Sequence, residues 1–299
     1  MNDILFSIVI PTYNRAKFIL NTIDSVLVQA YENFEIIIVD DGSTDNTAEI
    51  VKTIKDPRVF YYQKANEERA AARNFGIRKA KGAFINFLDS DDYLYPEHLA
   101  EARNFLLDQP DAKAFHLAYE IRDPKGQVLR MVEDQKPIND NIIFGNTLSA
   151  NGVFVDRQVL LENPFNEDRA LSSLEDWELW IRLAARHTFF DVRTVTSVIV
   201  QHETRSVMSK DIPGIKAKVD LFCDYVMKDP VNNEKYGALL KNATASAKTY
   251  AALHIAMTGS EKALSWRYLR GGISDSSSQM FTKRFIVILL FQLGLRKLR

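Results

Sequence analysis

Three carboxylates within four residues, Asp89, Asp91 and Asp92, follow an apolar run at residues 83–88. Carboxylate oxygens are the ligands that hard divalent cations prefer, and such cations often keep phosphate in their coordination shell. The same residue types are also typical of a polar loop whose aspartate caps the next helix. The residues alone therefore leave a cation site and a capped loop equally open.

A second acidic segment, residues 40–45, follows the apolar run 34–39. One of its carboxylates can accept hydrogen bonds from a base or a ribose, as acidic residues do at dinucleotide sites. The alternative is a turn that leads into a helix capped by Ser43 or Thr44. A nicotinamide cofactor is disfavoured, because no Gly-x-Gly-x-x-Gly turn follows the first two strands, and a P-loop is absent as well.

The elements that must position these carboxylates alternate between strand and helix four times. Runs of consecutive apolar residues indicate strands buried on both faces, and apolar residues at helical spacing indicate one-sided helices. The strands are predicted at 6–11, 34–39, 59–62 and 83–88, and the helices at 18–29, 44–54, 69–80 and 97–107. This alternation predicts a parallel sheet with helices on its faces, and it places both acidic segments at one edge of that sheet.

Beyond residue 107 the pattern is less regular. Strands are predicted at 112–121, 128–132, 151–155 and 194–200, with a helix at 174–185. Only helices are predicted from residue 213 to about residue 270, and a loop rich in glycine and serine follows at 271–278.

Composition bounds the class of protein. The 299 residues contain 46% hydrophobic and 26% charged side chains, which is ordinary for a globular protein of one large domain or one domain with an appendage. A formal net charge of −1 gives no indication of a nucleic-acid partner. Cys223 is the only cysteine, so an internal disulfide is excluded and a reducing compartment is favoured. No leader sequence is recognised at the N-terminus, and we expect a cytoplasmic protein.

The segment at 285–295 is strongly apolar and has basic residues on both sides. A helix of this length spans only about half of a bilayer's hydrocarbon core, so it is too short to cross a membrane. Two interpretations are open: a helix that packs in the core, and an interfacial segment whose basic flanks meet anionic lipid. The charges at both ends slightly favour the interfacial segment, which would place the protein at the inner face of the membrane.

Four motifs together resemble family 2 glycosyltransferases. They occur in the order and at the spacings of that family: Ser7-Ile-Val-Ile-Pro-Thr-Tyr-Asn14, Val39-Asp-Asp-Gly-Ser-Thr-Asp45, Ala72-Arg-Asn-x-Gly76 and Phe87-Leu-Asp-Ser-Asp-Asp92. The resemblance continues more thinly through Glu175-Asp176-x-x-Leu179-x-x-Arg182 and His202. It implies an α/β GT-A fold, with a Rossmann-like, mostly parallel sheet flanked by helices and a C-terminal helical extension. Residues 1–110 would form the nucleotide-binding half, 111–210 the acceptor-binding half, and 211–299 the extension.

The resemblance also assigns site residues. Nucleotide-binding residues would be Pro11, Thr12, Tyr13, Asp41, Arg73, Asp89 and Ser90; Asp41 would pair with the base and Asp89 with the ribose. Asp91 and His202 would hold Mn²⁺ or Mg²⁺ against the donor diphosphate. Glu175, Asp92 and Arg69 would have secondary or acceptor-binding roles.

Asp176 matches the general base of the family. In that role it takes the proton of the acceptor hydroxyl while the hydroxyl oxygen attacks the anomeric carbon. The residues alone favour a structural interpretation instead, because Ser172-x-x-Glu175 fits a capping box and acidic residues suit the first turn of a helix.

The sequence departs from the family pattern at residues 66–69. The family commonly carries Asn-x-Gly before the Ala-Arg-Asn motif, and Glu68 replaces that glycine here. A glutamate is expected to resist positive φ, so we expect the contacts of this loop with the donor substrate to differ from those of the family. This loop is the one feature that favours a catalytically inactive nucleotide-binding scaffold over an enzyme.

The expected activity is an inverting, metal-dependent transfer from a nucleoside-diphosphate sugar, a UDP-sugar, to a glycan or lipid-linked acceptor in surface polysaccharide or lipopolysaccharide synthesis. The Gln-x-x-Arg-Trp motif of processive synthases and a transmembrane bundle are both missing, which favours single or limited addition. A sugar nucleotidyltransferase is the less favoured alternative, because Pro-Thr-Tyr-Asn stands where its glycine-rich signature is expected.

Overall fold

A computed structural model describes residues 3–132, 137–202 and 211–295. Contacts divide the chain into two compact units. The first comprises Met1–Asn139, Thr147–Arg169 and His187–Arg205, and the second comprises Asp140–Asn146, Ala170–Arg186 and Ser206–Arg299. These boundaries differ from the predicted division at residue 210, and the assignment of nucleotide-binding and acceptor-binding halves stays a prediction.

The first unit is an α/β structure built on one sheet. Its strands are β1 (Phe6–Thr12), β2 (Phe34–Asp40), β3 (Val59–Gln63), β4 (Phe84–Phe87), β5 (Tyr93–Leu94), β6 (Ala114–Arg122), β7 (Val128–Val132), β8 (Val153–Asp156) and β9 (Phe189–Val200). Its helices are α1 (Ile19–Leu27), α2 (Thr47–Lys52), α3 (Glu68–Lys79), α4 (His98–Asp108) and α6 (Arg157–Glu162), while α5 (Ile138–Asn141) lies at the sequence boundary between the units.

The strand order is β3-β2-β1-β4-β8-β6-β9-β5, with β7 paired to β6. The strands β3, β2, β1 and β4 are parallel, and every residue of β1 and β2 is buried, as the consecutive apolar runs predict. Thr12 pairs with Asp40, and Val9 of the same strand pairs with Phe87. The segments that follow β1, β2 and β4 therefore open at one edge, and this prediction is confirmed.

Helix α3 lies close to β1 because Gly76 has no side chain. A Cβ at position 76 would lie 2.4 Å from a methyl carbon of Val9, closer than two carbon atoms can approach. The glycine of the Ala-Arg-Asn-x-Gly motif thus permits the close packing that brings Arg73, one turn earlier, to the sheet edge.

The second unit is helical within the described residues. It contains α7 (Glu175–Arg186), α8 (Ile212–Lys228), α9 (Pro230–Tyr236), α10 (Lys241–Thr258), α11 (Lys262–Asp275) and α12 (Lys283–Gln292). The predicted loop at 271–278 is wrong in its first half, because α11 continues to Asp275. Gly272 is buried where a Cβ would lie 2.8 Å from Thr249 of α10, so this glycine serves close helix packing and does not end the helix.

Helix α12 packs one face within the second unit and exposes the other. Ile288 is fully buried, whereas Ile286 is 57% and Leu293 67% exposed. Arg284, expected as a basic flank of an interfacial segment, instead donates from Nη1 to the carbonyl oxygen of Ser246 in α10 at 2.8 Å. None of the described helices has the length and apolar character that crossing a membrane requires.

Candidate active site

The loop after β4 gathers three carboxylates. One oxygen from each of Asp89, Asp91 and Asp92 can be chosen so that all three lie within 4.8 Å of one another. Asp92 is buried, while Asp89 and Asp91 are partly accessible. The loop begins where β4 ends because the buried strand has reached the sheet edge, where polar side chains meet solvent.

Asp91 is contacted by two basic side chains. Its Oδ2 lies 3.0 Å from Nε2 of His202 and 3.3 Å from Nε of Arg15. The His202 ring stacks on Phe18 with centroids 4.8 Å apart, which fixes the plane of the imidazole. The structure thus brings together the two residues that the sequence assigned to the metal, and it adds Arg15.

Asp92 has a structural environment. Its Oδ1 accepts from the backbone N–H of Val200 at 2.8 Å, and its Oδ2 accepts from Nδ2 of Asn151 at 3.0 Å. Its carbonyl oxygen accepts from the hydroxyl of Thr22 in α1 at 2.8 Å. This environment is consistent with the supporting role predicted for Asp92.

Arg73 connects α3 to the same loop. Its Nη2 donates to Oδ1 of Asp89 at 2.9 Å, and its guanidinium lies over the ring of Phe165, 5.3 Å from the centroid. The Arg73 side chain is only 2% exposed, whereas that of Asp89 is 25% exposed. Asp89 is therefore oriented from its buried side and remains accessible from the other.

The loops after β1 and β2 are tied to each other. The backbone N–H of Asn14 donates to the Ser43 hydroxyl at 2.9 Å, and Oδ1 of Asn14 accepts from the N–H of Thr44 at 2.8 Å. Asn14 has a φ of +52°, a conformation that asparagine tolerates better than most residues. Ser43 therefore binds the neighbouring loop, and helix α2 begins only at Thr47, so the predicted helix cap at Ser43 or Thr44 is wrong.

The three residues predicted to line the nucleotide pocket lie at the end of β1. Pro11 and Thr12 are buried, and Tyr13 is 46% exposed. Within the described part of the chain, Oγ1 of Thr12 is buried without a hydrogen-bond partner. A buried hydroxyl normally has a partner, so this atom is available to a bound molecule.

Asp40 and Asp41 have different roles despite being adjacent. Asp40 is fully buried and accepts from the Ser43 N–H at 2.7 Å and from the Tyr61 hydroxyl at 2.7 Å. Burial and the Asp40 carboxylate together raise the pKa of Tyr61 well above its usual value, which keeps this hydroxyl a donor. Asp41 instead accepts from Nζ of Lys64 at 2.9 Å.

The loop at residues 66–69 retains the backbone shape expected of a glycine. Glu68 has a φ of +76°, so the expectation that a glutamate would resist this conformation is wrong. The N–H of the preceding residue, Glu67, donates to Oδ1 of Asp41 at 3.0 Å, and Nη2 of Arg169 donates to the carbonyl oxygen of Asn66 at 2.7 Å. These contacts hold the chain immediately before Glu68 and offset a cost of about 1–2 kcal/mol for the left-handed conformation.

Asp176 belongs to the second unit, in the first turn of α7. Its Oδ2 accepts from Nδ2 of Asn146 at 3.1 Å, and its Oδ1 accepts from the N–H of Trp177 at 2.7 Å. The indole of Trp177 donates to the carbonyl oxygen of Ile142 at 2.7 Å, which anchors this end of the helix. Asp176 is partly accessible, whereas Glu175 is 2% exposed.

The predicted capping box before α7 does not form. The helix begins at Glu175, and Ser173 has a φ of +77°, so no helix runs from Ser172. The capping box therefore no longer supports the alternative that Glu175 and Asp176 have only a structural role. Both residues nevertheless lie in the first turn of α7, where acidic side chains are favourable for any helix.

Comparison with known proteins identifies the family. The model described as "Glycosyl transferase family 2" matches residues 7–154. An uncharacterized glycosyltransferase of Rickettsia felis is 33% identical over 77% of this chain, and one of Haemophilus influenzae is 39% identical over 53% of it. The chain belongs to glycosyltransferase family 2. It spans only 38% of the length of the Rickettsia relative and 64% of the length of the Haemophilus relative.

Solved structures confirm the predicted fold class of this family 2 chain. S. aureus TarS 1–349 in complex with UDP-GlcNAc aligns with a TM-score of 0.64 at 18% identity, covering 97% of this chain and 92% of TarS. The mannosyltransferase PcManGT from Pyrobaculum calidifontis, in complex with GDP-Man and Mn²⁺, aligns with a TM-score of 0.59 at 19% identity, covering 97% and 84%. At these identities the likeness shows the GT-A fold alone.

The residues of the β4 loop fit a hard divalent cation. Their donor atoms are carboxylate oxygens, which suit Mg²⁺ and Mn²⁺, and an imidazole nitrogen lies beside Asp91. Asp91 and His202 are the residues that would hold such an ion. Ser90 is buried within the loop and Arg69 lies half-buried in the first turn of α3, so their predicted roles stay predictions.

Three residues of the site were not predicted from the sequence: Arg15, Lys64 and Asn151. Arg15 follows the first family motif directly, and a search for cations beside that motif would have found it. Lys64 lies at the end of β3, at the same edge as Asp41, so strand register would have indicated it. Asn151 precedes a strand far along the chain, and no local pattern in the sequence marks it.

Proposed function

We propose that this family 2 glycosyltransferase transfers a sugar from a nucleoside-diphosphate sugar, a UDP-sugar, to a hydroxyl of a glycan or lipid-linked acceptor, with inversion at the anomeric carbon. The observation that carries the proposal is that all four family motifs meet at one sheet edge. There the partly accessible Asp89 and Asp91 follow β4, and Thr12, whose hydroxyl is buried, ends the neighbouring strand β1.

The residues of the first unit have distinct binding roles in this proposal. Asp41, held by Lys64 and the Glu67 N–H, accepts from the base, and Asp89, oriented by Arg73, accepts from the ribose. Asp91 and His202 hold Mn²⁺ or Mg²⁺. A cation bound there would offset the charge that builds on the leaving diphosphate, a contribution of several kcal/mol to the barrier.

Asp176 is the proposed general base. A carboxylate with an ordinary pKa of about 4 is ionised at neutral pH and can accept the proton of the attacking hydroxyl. Direct attack on the anomeric carbon breaks the bond to the diphosphate and inverts the configuration. Asn146, which donates to Oδ2 of Asp176, would orient the carboxylate.

A donor panel tests the activity. The purified chain is incubated with UDP-, GDP- and other nucleotide sugars and Mn²⁺, with and without glycan acceptors, and nucleotide release is measured. Release with one UDP-sugar, and a product of inverted configuration by NMR, supports the proposal. Absence of release with every donor, although UDP raises the melting temperature, would instead support an inactive nucleotide-binding scaffold.

Two variants in the second unit test the base. Asp176→Asn should reduce turnover by about 100-fold or more, because the amide cannot accept the proton, and it should leave UDP affinity unchanged. Asp224→Asn is the matched control, since Asp224 is a helical aspartate whose partner is the exposed Lys228. Equal turnover in both variants would remove Asp176 from the mechanism.

We further propose that α12 meets an anionic membrane surface. Ile286 and Leu293 are exposed, Phe281 is 87% exposed, and residues 276–299 contain four Lys or Arg besides the hydrogen-bonded Arg284 and no Asp or Glu. Ile286→Ser with Leu293→Ser should abolish sedimentation with vesicles that contain anionic lipid. Val28→Ser with Leu239→Ser, at positions of similar exposure, is the control. Equal vesicle binding by both double variants would exclude this surface.

A further inference from the structure

Asn151 has an unusual position beneath the β4 loop. It is 1% exposed and lies in a single 3₁₀ turn, Ala150–Gly152, just before β8. Its Oδ1 accepts from the N–H of Asp89 at 3.1 Å, and its Nδ2 donates to Oδ2 of Asp92 at 3.0 Å. One amide group therefore bridges the first and the last aspartate of the loop.

Asn151 is itself fixed from two sides. Its N–H donates to the Ser149 hydroxyl at 3.2 Å, and its carbonyl oxygen accepts from Nδ2 of Asn86 in β4 at 2.8 Å. Nδ2 of Asn86 also donates to the carbonyl oxygen of Val153, so the turn is held against the strand that precedes the loop. A side chain that is buried and bonded in this way can impose its own position on the loop.

The contacts separate the three aspartates of the loop. The two oxygens of Asp92 accept from Asn151 and from the backbone of Val200, both neutral donors inside the protein. Asp89 and Asp91 are instead contacted by cationic or titratable side chains and are partly accessible. Asp92 is thus placed as an anchor, whereas Asp89 and Asp91 both remain partly accessible.

We infer that Asn151 is a positioning residue, which holds the loop through Asp89 and Asp92 so that Asp91 is presented to a divalent cation. This inference rests on the proposed metal-dependent function. Groups that orient metal ligands from behind typically change metal affinity by about 10–100-fold when they are removed. Asn151 acts only through the loop and touches neither substrate nor cation in this proposal.

The first test measures the loop without metal. In metal-free protein, Asn151→Ala should speed amide hydrogen exchange at Asp89, because the acceptor of that N–H is lost. Asn139→Ala is the matched control, because Asn139 makes a similar two-sided contact, with the His187 carbonyl oxygen and the Phe189 N–H. Unchanged exchange at Asp89 in Asn151→Ala would overturn the inference, whatever the protein does with metal or donor.

The second test measures Mn²⁺ binding by electron paramagnetic resonance, without donor or acceptor. Asn151→Ala should bind Mn²⁺ about 10–100-fold more weakly than the wild type, while Asn139→Ala binds as the wild type does. Equal affinities of wild type and Asn151→Ala would overturn the inference alone. A wild type that binds neither Mn²⁺ nor UDP would overturn the proposed function and, with it, this inference.

A reciprocal exchange separates positioning from direct ligation. Asp92→Asn alone sets two NH₂ groups against each other and should weaken Mn²⁺ binding. Adding Asn151→Asp restores one donor and one acceptor at the same places, keeps the net charge of the wild type, and should recover Mn²⁺ affinity to within about 3-fold. If the double variant stays as weak as Asp92→Asn, Asp92 is itself a metal ligand and its assignment as the anchor is wrong.

Discussion

The loop after β2 and the loop after β4 open at the same edge of one sheet, and each contains three aspartates within six residues. In the β2 loop, Asp40 and Asp45 accept hydrogen bonds from backbone N–H groups and hydroxyls, which are neutral donors, whereas Asp41 accepts from Nζ of Lys64. In the β4 loop, Asp89 and Asp91 are contacted by Arg73, Arg15 and His202.

This difference indicates how an aspartate in such a loop is used. Neutral donors that are fixed in the backbone make the carboxylate part of the loop, and replacing them costs the hydrogen bonds that shape it. A carboxylate paired with a side-chain cation can exchange that partner for another positive charge with less rearrangement. The presence of acidic residues in the sequence did not distinguish an aspartate that shapes its loop from one that can bind another cation. The charge of the hydrogen-bond donors in the structure does.

The largest effect is expected from removing the charge of Asp91. Asp91→Asn should lower nucleotide release by about 100-fold, equivalent to about 3 kcal/mol of barrier, without a comparable loss of stability. Asp45→Asn in the β2 loop is the control and should retain activity within about 10-fold. Comparable losses of activity in both variants would break the distinction between the loops.

Asp40→Ala should mainly reduce stability. The substitution leaves the N–H of Ser43 and the Tyr61 hydroxyl without their acceptor, at about 1–3 kcal/mol for each buried group. Urea unfolding should show a fall of about 2 kcal/mol or more in the free energy of unfolding. A fall below about 0.5 kcal/mol would mean that the β2 loop does not depend on this aspartate.

Acid tests a buried contact between α4 and β9. His98 of α4 contacts the Thr196 hydroxyl of β9 at 2.7 Å, and burial, with a smaller contribution from His116, lowers the pKa of His98 from 6.5 to about 3. The unfolded state therefore binds the proton more readily, so this stability is complete above pH 6.5 and is lost as the pH falls towards 3. At pH 5 the loss should be about 2 kcal/mol.

The control for this pH dependence is His98→Asn, which cannot titrate. Denaturant unfolding at pH 7.5 and pH 5 should show a smaller loss for the variant than for the wild type. Equal losses would assign the acid sensitivity to other groups. Hydrogen exchange at Asp89 and at Ser43 would then show whether acid loosens the β4 loop before the β2 loop.

The smallest effect is expected at Glu68, which follows Glu67, a hydrogen-bond donor to Asp41 of the β2 loop. Glu68→Gly should raise the free energy of unfolding by up to about 1 kcal/mol, because glycine adopts a φ of +76° without strain. Ala70→Gly, in the right-handed interior of α3, should lower it by about 1 kcal/mol. A destabilised Glu68→Gly variant would show that the side chain contributes more than the strain costs.

The sequence predicted the sheet edge better than it predicted the site. Consecutive apolar residues placed β1, β2 and β4 correctly, since strands buried on both faces are predominantly apolar. The bonds of Asn151 with Asp92 and Asn86, and the bond from Tyr61 to Asp40, join residues that are 21 to 65 positions apart, which no local pattern encodes. The loop predicted at Gly272 is wrong for a related reason. A glycine that ends a helix and a glycine that allows a neighbouring helix to pack closely cannot be distinguished in the sequence.

The contact at Gly272 also restricts which substitutions α10 and α11 can accept during evolution. Ala245 and Ala252 of α10 are buried; a Cβ on residue 272 would lie 3.0 Å from the Ala245 carbonyl oxygen, and the Ser265 hydroxyl of α11 donates to the Ala252 carbonyl oxygen at 2.8 Å. Enlarging any of these small residues separates two backbones, and no neighbouring side chain can shrink enough to compensate. Viable descendants should therefore diversify on the outer faces of α10 and α11 and keep small residues along this seam.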